Sequence, residues 1–198
     1  MPDATGTADD IWRDLVAGAD RGRTANPVLD PDDHSPVAVV LTCSDARVPP
    51  SLVFDEPRNR LFEVRVPGGG LDDTVREAID FAVDHLHVPL VVVLGHENCA
   101  AVGLAVQTRD AGTEPGTLGA TVAAIRRSVG DASAGDAIAA HVRSTVADLR
   151  TTIGDAATGP IGRAAPETDD AHEALPQPQN VHIFFSIYFL MTGLHGIH

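Results

Sequence analysis

The sequence contains no lysine; all 14 basic residues are arginine, set against 28 acids for a formal net charge of -14. An acidic chain of this kind repels nucleic-acid phosphates, which argues against a DNA- or RNA-binding role. The missing lysine also bears on the one glycine-rich stretch, "PGGG" at 67–70. A phosphate-binding P-loop needs a lysine after its last glycine, at a spacing that is absent here. Cysteine is scarce too: two in 198 residues make no disulfide framework, so a metal or catalytic use of the thiols is at least as plausible in a cytosolic protein. The first ten residues, "MPDATGTADD", have neither the basic region nor the apolar run of a secretory signal, and cytoplasmic residence is expected. No internal repeat is visible. The last absence is local: from Val181 to His198 there is no Asp, Glu, Lys or Arg.

What is present has the alternation of an α/β protein. With 43% hydrophobic residues, the chain is long enough for one domain with a sizeable core. "TADDIWRDLVAGADRGR" reads as an N-terminal helical arm, capped by Thr7 or Asp9, with Ile11, Trp12, Leu15 and Val16 on one stripe. "VAVVLTC" and "PLVVVLGH" are continuous apolar runs, as expected of strands covered on both faces, and "RLFEVRV" is a further β-rich run. Between them "LDDTVREAIDFAVDHLHV" is amphipathic, with Val75, Ile79, Ala82, Val83 and Leu86 at helical spacing. Residues 99–153 read as mostly helical, with loops near 111–118 and 130–136. The expected fold is therefore a central, mainly parallel sheet flanked by helices over 1–153. Residues 154–180, poor in large apolar side chains, read as a loop or linker, and 181–198 as a terminal strand or a foreign apolar segment just long enough to raise the question of a membrane span.

The chemistry concentrates at two strand ends. Cys43 closes the first apolar run within "LTCSDARVPP"; His96 and Cys99 follow the third in "LGHENCAAV". Ligands gather beyond the carboxyl ends of strands in an open parallel sheet, so these three can converge. Two thiolates and an imidazole suit zinc, and three ligands leave a fourth position open. Zinc lowers the pKa of water bound there to about 7, which is hydration or hydrolysis chemistry. Asp45 can then orient that water, and Arg47 can hold the carboxylate away from the metal with a bidentate pair. The plainer alternatives are a structural Asp45–Arg47 ion pair closing a turn and a Cys43–Cys99 disulfide, which would leave His96 unexplained. His85 and His87 suit a helix C-terminus, and His141 stands on a helix with no motif around it. His182, His195 and His198 lie in the uncharged tail, where a second metal or haem site is a remote reading.

"CSDAR" followed by "HENC" resembles the C-x-D-x-R and H-x-x-C motifs of the β-class carbonic anhydrases, and the likeness runs from "IWRDLVAG" through "HVRSTVADL". The resemblance implies an α/β fold, a Zn2+ cofactor on Cys43, His96 and Cys99, Asp45 and Arg47 as the catalytic dyad, and hydration of carbon dioxide to bicarbonate. It also implies a homodimer or higher homo-oligomer in which the N-terminal helix packs on a neighbour. Several positions depart from the family. "VPGGG" replaces an Asn-Ala-Gly-Asn-like turn, although Gly68 and Gly69 still let backbone amides approach a substrate. Glu56 stands near a substrate-side Gln, and Ala100 replaces a common Gly. "SIYFLMTG" keeps Tyr188, Thr192 and Gly193 but loses the polar residues, and the string around it resembles a segment of haem-copper oxidase subunit III. Two other readings share the motifs: a carbon disulfide or carbonyl sulfide hydrolase, and a non-catalytic zinc-binding or redox-responsive domain tethered to a membrane by its tail.

Overall fold

The structure is a computed structural model that describes residues 7–25, 30, 32–113, 116–153 and 182–188. The chain divides into two units, Met1–His34 and Ser35–His198. The linker read at 154–180 and the end of the tail, with His195 and His198, lie outside the described residues.

The first unit is built on helix α1, Ala8–Ala25. Thr7 is its cap. The Asp10 carboxylate accepts from the Thr7 amide at 3.0 Å, and the Asp10 amide donates to the Thr7 hydroxyl at 3.3 Å, so two end groups satisfy each other. The Thr7 hydroxyl, which donates to the Asp10 carboxylate at 2.6 Å, holds that carboxyl below its ordinary pKa, with help from the Thr7 amide and Arg13. The apolar stripe faces outward: Ile11, Trp12, Leu15 and Val16 are 49%, 66%, 61% and 44% exposed.

The second unit is a four-stranded, fully parallel sheet in the order β2-β1-β3-β4. β1 is Ala38–Cys43, β2 Leu61–Val66, β3 Leu90–His96 and β4 His182–Tyr188. The two continuous apolar runs become the two central strands, and every residue of β1 is buried. β2, which carries Glu63 and Arg65, forms one edge and is half-buried, as an edge strand tolerates. The uncharged tail supplies the opposite edge, with Leu90 in register with His182 and His96 with Tyr188.

Short helix α2, Pro50–Val53, begins on the proline pair that ends the first motif, with Pro50 at a position where no amide is needed. α3, Asp73–Asp84, is capped by the Asp72 side chain accepting from the Val75 amide, and it buries Val75, Ile79 and Ala82 against Val39 and Leu41 of β1. It stops earlier than its sequence pattern suggests: His85 caps it, and His87 adopts a left-handed φ of 55° that no helix continues through. α4, Ala100–Asp110, α5, Gly119–Val129, and α6, Ala137–Ile153, complete the unit. No helix among the described residues is long and apolar enough to cross a membrane.

α6 lies against β3 and β4 and buries Val142, Val146 and Leu149 in the same cluster as Val91 and Val93. Its close approach requires Gly95, one residue before His96. A Cβ there would stand 2.7 Å from Val142 Cγ2 and 3.1 Å from Ile138 Cγ2. Gly95→Ala is expected to force the helix away and to lower stability by about 1–3 kcal/mol, read as a shifted denaturant midpoint at unchanged slope.

Candidate metal centre

A strand order of 2-1-3 turns the chain's direction of winding between β1 and β3, and the crevice beyond their carboxyl ends is where open α/β sheets bind ligands. β1 and β3 pair directly, with Thr42 opposite Leu94. Cys43 and His96 are the last residues of those strands, so the sheet itself delivers both to that crevice. Cys99 arrives by another route. Asn98 takes a left-handed φ of 53°, and Cys99 becomes the N-cap of α4, where the first helical amides favour an anionic sulfur. The ligand atoms of Cys43, His96 and Cys99 all lie within 4.8 Å of one another, and all three residues are buried.

Each donor is prepared for a cation. The two cysteines are free thiols with sulfurs 3.9 Å apart, so the disulfide alternative is not the state observed. They share a proton: Cys99 donates to Cys43, which draws the Cys43 pKa below its ordinary range and pushes the Cys99 thiol above it. A cation between the two sulfurs would stabilise both as thiolates. Nδ1 of His96 donates to the Glu97 carbonyl at 2.9 Å, which leaves the lone pair on Nε2. That Nε2 is buried and has no hydrogen-bond partner, and the adjacent Cys43 sulfur raises the imidazole pKa against the effect of burial. A buried imidazole nitrogen without a partner is costly unless something binds it.

Asp45 and Arg47 form the expected fork. Arg47 donates from Nε to Asp45 Oδ1 at 2.9 Å and from a terminal nitrogen to Oδ2 at 2.7 Å, and the Arg47 amide adds a third bond to Oδ1 at 2.9 Å. The pair holds the Asp45 carboxyl far below the usual carboxylate range, and Arg47 is raised in turn. Asp45 is not a member of the ligand cluster. A residue that sequence reading missed supports the turn from beneath: Arg65 of β2 donates to the Cys43 carbonyl at 3.3 Å and to the Asp45 carbonyl at 2.6 Å. Its only signal is an arginine within a strand of mostly apolar residues. Glu56 is paired with Arg60 at 3.4 Å.

The "PGGG" turn is a 3-10 turn, Pro67–Gly69, and its first glycine serves the ligand set. The Gly68 amide donates to Cys43 Sγ at 3.2 Å. Gly69 packs on the Thr42 backbone. Gly68 has a φ of 69°, and a Cβ on it would lie 2.6 Å from Ile125 Cδ1 and 3.2 Å from Ala101 Cβ. Gly68→Ala should therefore withdraw the amide from Cys43 and reduce zinc affinity about 10–100-fold in a chelator competition. Gly69→Ala, strained by its φ but not clashing, should cost about 1–2 kcal/mol of stability with the smaller loss of affinity.

Comparison with known proteins agrees with this centre. A carbonic anhydrase family model matches residues 38–155. The chain is 36% identical over 126 residues to carbonic anhydrase 2 of Mycobacterium tuberculosis, covering 59% of this chain and 60% of that protein. It is 42% identical over 80 residues to the carbonic anhydrase of Mycolicibacterium smegmatis, covering 40% and 39% respectively. These matches thus span less than two thirds of the relatives' own length. In fold it is similar to a tetrameric β-carbonic anhydrase of Sordaria macrospora, with a TM-score of 0.54 at 20% identity over 70% of this chain and 77% of that one. It is also similar to the β-carbonic anhydrase of Coccomyxa, with a TM-score of 0.51 at 23% identity over 72% and 68%. With the family match extending over more than half of its length and the two motifs meeting at one strand-end crevice, this chain belongs to the carbonic anhydrase family.

Proposed function

We propose that this protein catalyses the reversible hydration of carbon dioxide to bicarbonate, with Zn2+ held by Cys43, His96 and Cys99. The observation that carries the reading is the unpartnered Nε2 of buried His96 beside two free thiols within 4.8 Å, while Asp45 is held outside that group by Arg47. The donor set fits the metal: two soft sulfurs and one imidazole with its tautomer set by a backbone carbonyl. When bound, zinc supplies a strong Lewis acid that brings the ionisation of water near neutral pH.

The chain's own residues do the remaining work. Cys43 and Cys99 give up their shared proton when the site is loaded. Asp45 stays ionised under the Arg47 fork and accepts a hydrogen bond from the reacting water, which turns a lone pair of that water towards carbon dioxide. Arg47 occupies both Asp45 oxygens and so keeps that carboxylate from joining the Cys43, His96 and Cys99 donors that would hold the metal. His96 Nδ1 keeps its proton on the Glu97 carbonyl throughout.

The exposed apolar stripe of α1 supports a homo-oligomer, since a second copy of the chain would cover it. Free buried thiols suit a reducing compartment, which supports cytoplasmic residence.

Metal content and carbon dioxide hydration of the purified protein, in reducing buffer with zinc supplied, test the reading. One zinc per chain with turnover is expected, and a fully loaded protein without turnover would sink it. His96→Ala should lose both metal and activity. Asp45→Asn should keep the metal and lose about 100-fold or more in kcat. Arg47→Ala should also keep the metal while turnover falls, because the released Asp45 can close the site. For assembly, Trp12→Glu with Leu15→Glu should lower the mass seen by sedimentation.

A further inference from the structure

His141 had no motif around it in the sequence, and the metal centre does not use it directly. It is nevertheless one of only five buried polar or charged residues described, at 3% exposure on the inner face of α6. Its two ring nitrogens are both engaged. Nε2 lies 2.8 Å from the Gly68 carbonyl oxygen, and Nδ1 meets the Ser128 hydroxyl of α5. A carbonyl only accepts, so Nε2 carries the proton, and in the neutral ring Nδ1 is an acceptor for the Ser128 hydroxyl, whose one proton is shared with the Ile125 carbonyl 2.9 Å away. Burial favours that neutral form.

The far end of this chain of bonds is the metal centre. The same Gly68 whose carbonyl accepts from His141 donates its amide to Cys43 Sγ at 3.2 Å. Gly68 is the weak link of the turn. Three successive glycines follow Pro67, and glycine loses more conformational freedom on ordering than any other residue. Proline fixes one side of Gly68, and a bond to its carbonyl fixes the other. Without the imidazole the Gly68–Gly69 peptide loses this bond, and the plane that carries the Gly68 amide is held only by the longer bond from the Gly70 amide to the Pro67 carbonyl at 3.4 Å, so the aim of the amide at the sulfur loosens.

We propose that His141 is a positioning residue of the metal centre: through its bond to the Gly68 carbonyl, with the far side of the ring held by Ser128, it aims the Gly68 amide at Cys43 and so sets how strongly that thiolate binds metal. The inference rests on Cys43 being a metal ligand. It adds a residue from a helix some hundred positions along the chain from Cys43, acting without contact to metal or substrate.

The test uses the full chain with His141→Gln, whose side-chain amide can still donate to the Gly68 carbonyl, and His141→Asn, which is polar but too short to reach it. Zinc affinity is read by chelator competition, and the sulfur's donor strength by the cobalt–thiolate charge-transfer band of the Co2+-loaded protein. His141→Gln should stay close to the wild type, whereas His141→Asn should lose about 10–100-fold in zinc affinity and shift the band. A merely structural role would lower the melting temperature of the metal-free protein and leave the band of the loaded protein in place. Wild-type affinity and an unshifted band in a folded His141→Asn variant overturn the proposal. If that variant does not fold, Ser128→Ala decides: loss of the contact that holds the far side of the ring should weaken zinc binding by up to about tenfold, and an unchanged affinity and band overturn the proposal. A wild-type protein that binds neither metal would instead overturn the metal-centre reading itself.

Discussion

The direct pairing of β1 with β3 is the constraint on which the site depends. Parallel strands end at the same edge of a sheet, and the 2-1-3 order opens a crevice between these two ends. Cys43 and His96 reach that crevice because each is the final residue of its strand, and Cys99 joins them through a three-residue link into α4. Gly95 bears on the same constraint, since a side chain there would push α6 off β3 immediately beside His96. Slipping either strand by one residue would turn its terminal ligand to the opposite face of the sheet.

Charge is balanced around that edge with few groups. Two sulfurs share one proton until a cation arrives, and an imidazole offers an unpartnered nitrogen. The nearest carboxylate is held by an arginine fork. A second arginine, Arg65, secures the backbone of the same turn through carbonyls rather than through a carboxylate. Arginine suits both tasks, because its planar donors can bind two acceptors at once, which a lysine ammonium does with less geometric control. The absence of lysine from the whole chain is consistent with this use but is not explained by it.

Residues with short-range patterns could be read before the structure. The strands followed from apolar runs, α3 from its 3.6-residue periodicity, and the candidate donors that converge at the crevice from C-x-D-x-R and H-x-x-C, whose members are fixed to one another by a single turn of backbone. The reading did less well where the pattern outlasted the element. α3 ends before the last apolar positions because His87 turns left-handed, and Leu86 packs on the core from outside the helix. The glycine turn was visible as a break in the chain, but its role was not: Gly68 directs its amide to a ligand sulfur. Arg65, His141 and Ser128 carried almost no signal, since each acts alone on a partner from a different element.

The sequence by itself determined which atoms can bind a metal, because donor chemistry belongs to residue type and the close spacing within each motif leaves little freedom in how its members face one another. It also determined the layered α/β class, through the alternation of strand and helix periods. Only the tertiary structure decided that the uncharged tail pairs as an edge strand at 182–188, that Cys43 and Cys99 stand as free thiols 3.9 Å apart, and that the Gly68 turn is braced by α6. The physical reason is range. Periodicity and motif spacing record interactions within a few residues, whereas the bond from His141 to Gly68 joins groups 73 positions apart that meet only after the sheet and its helices have packed.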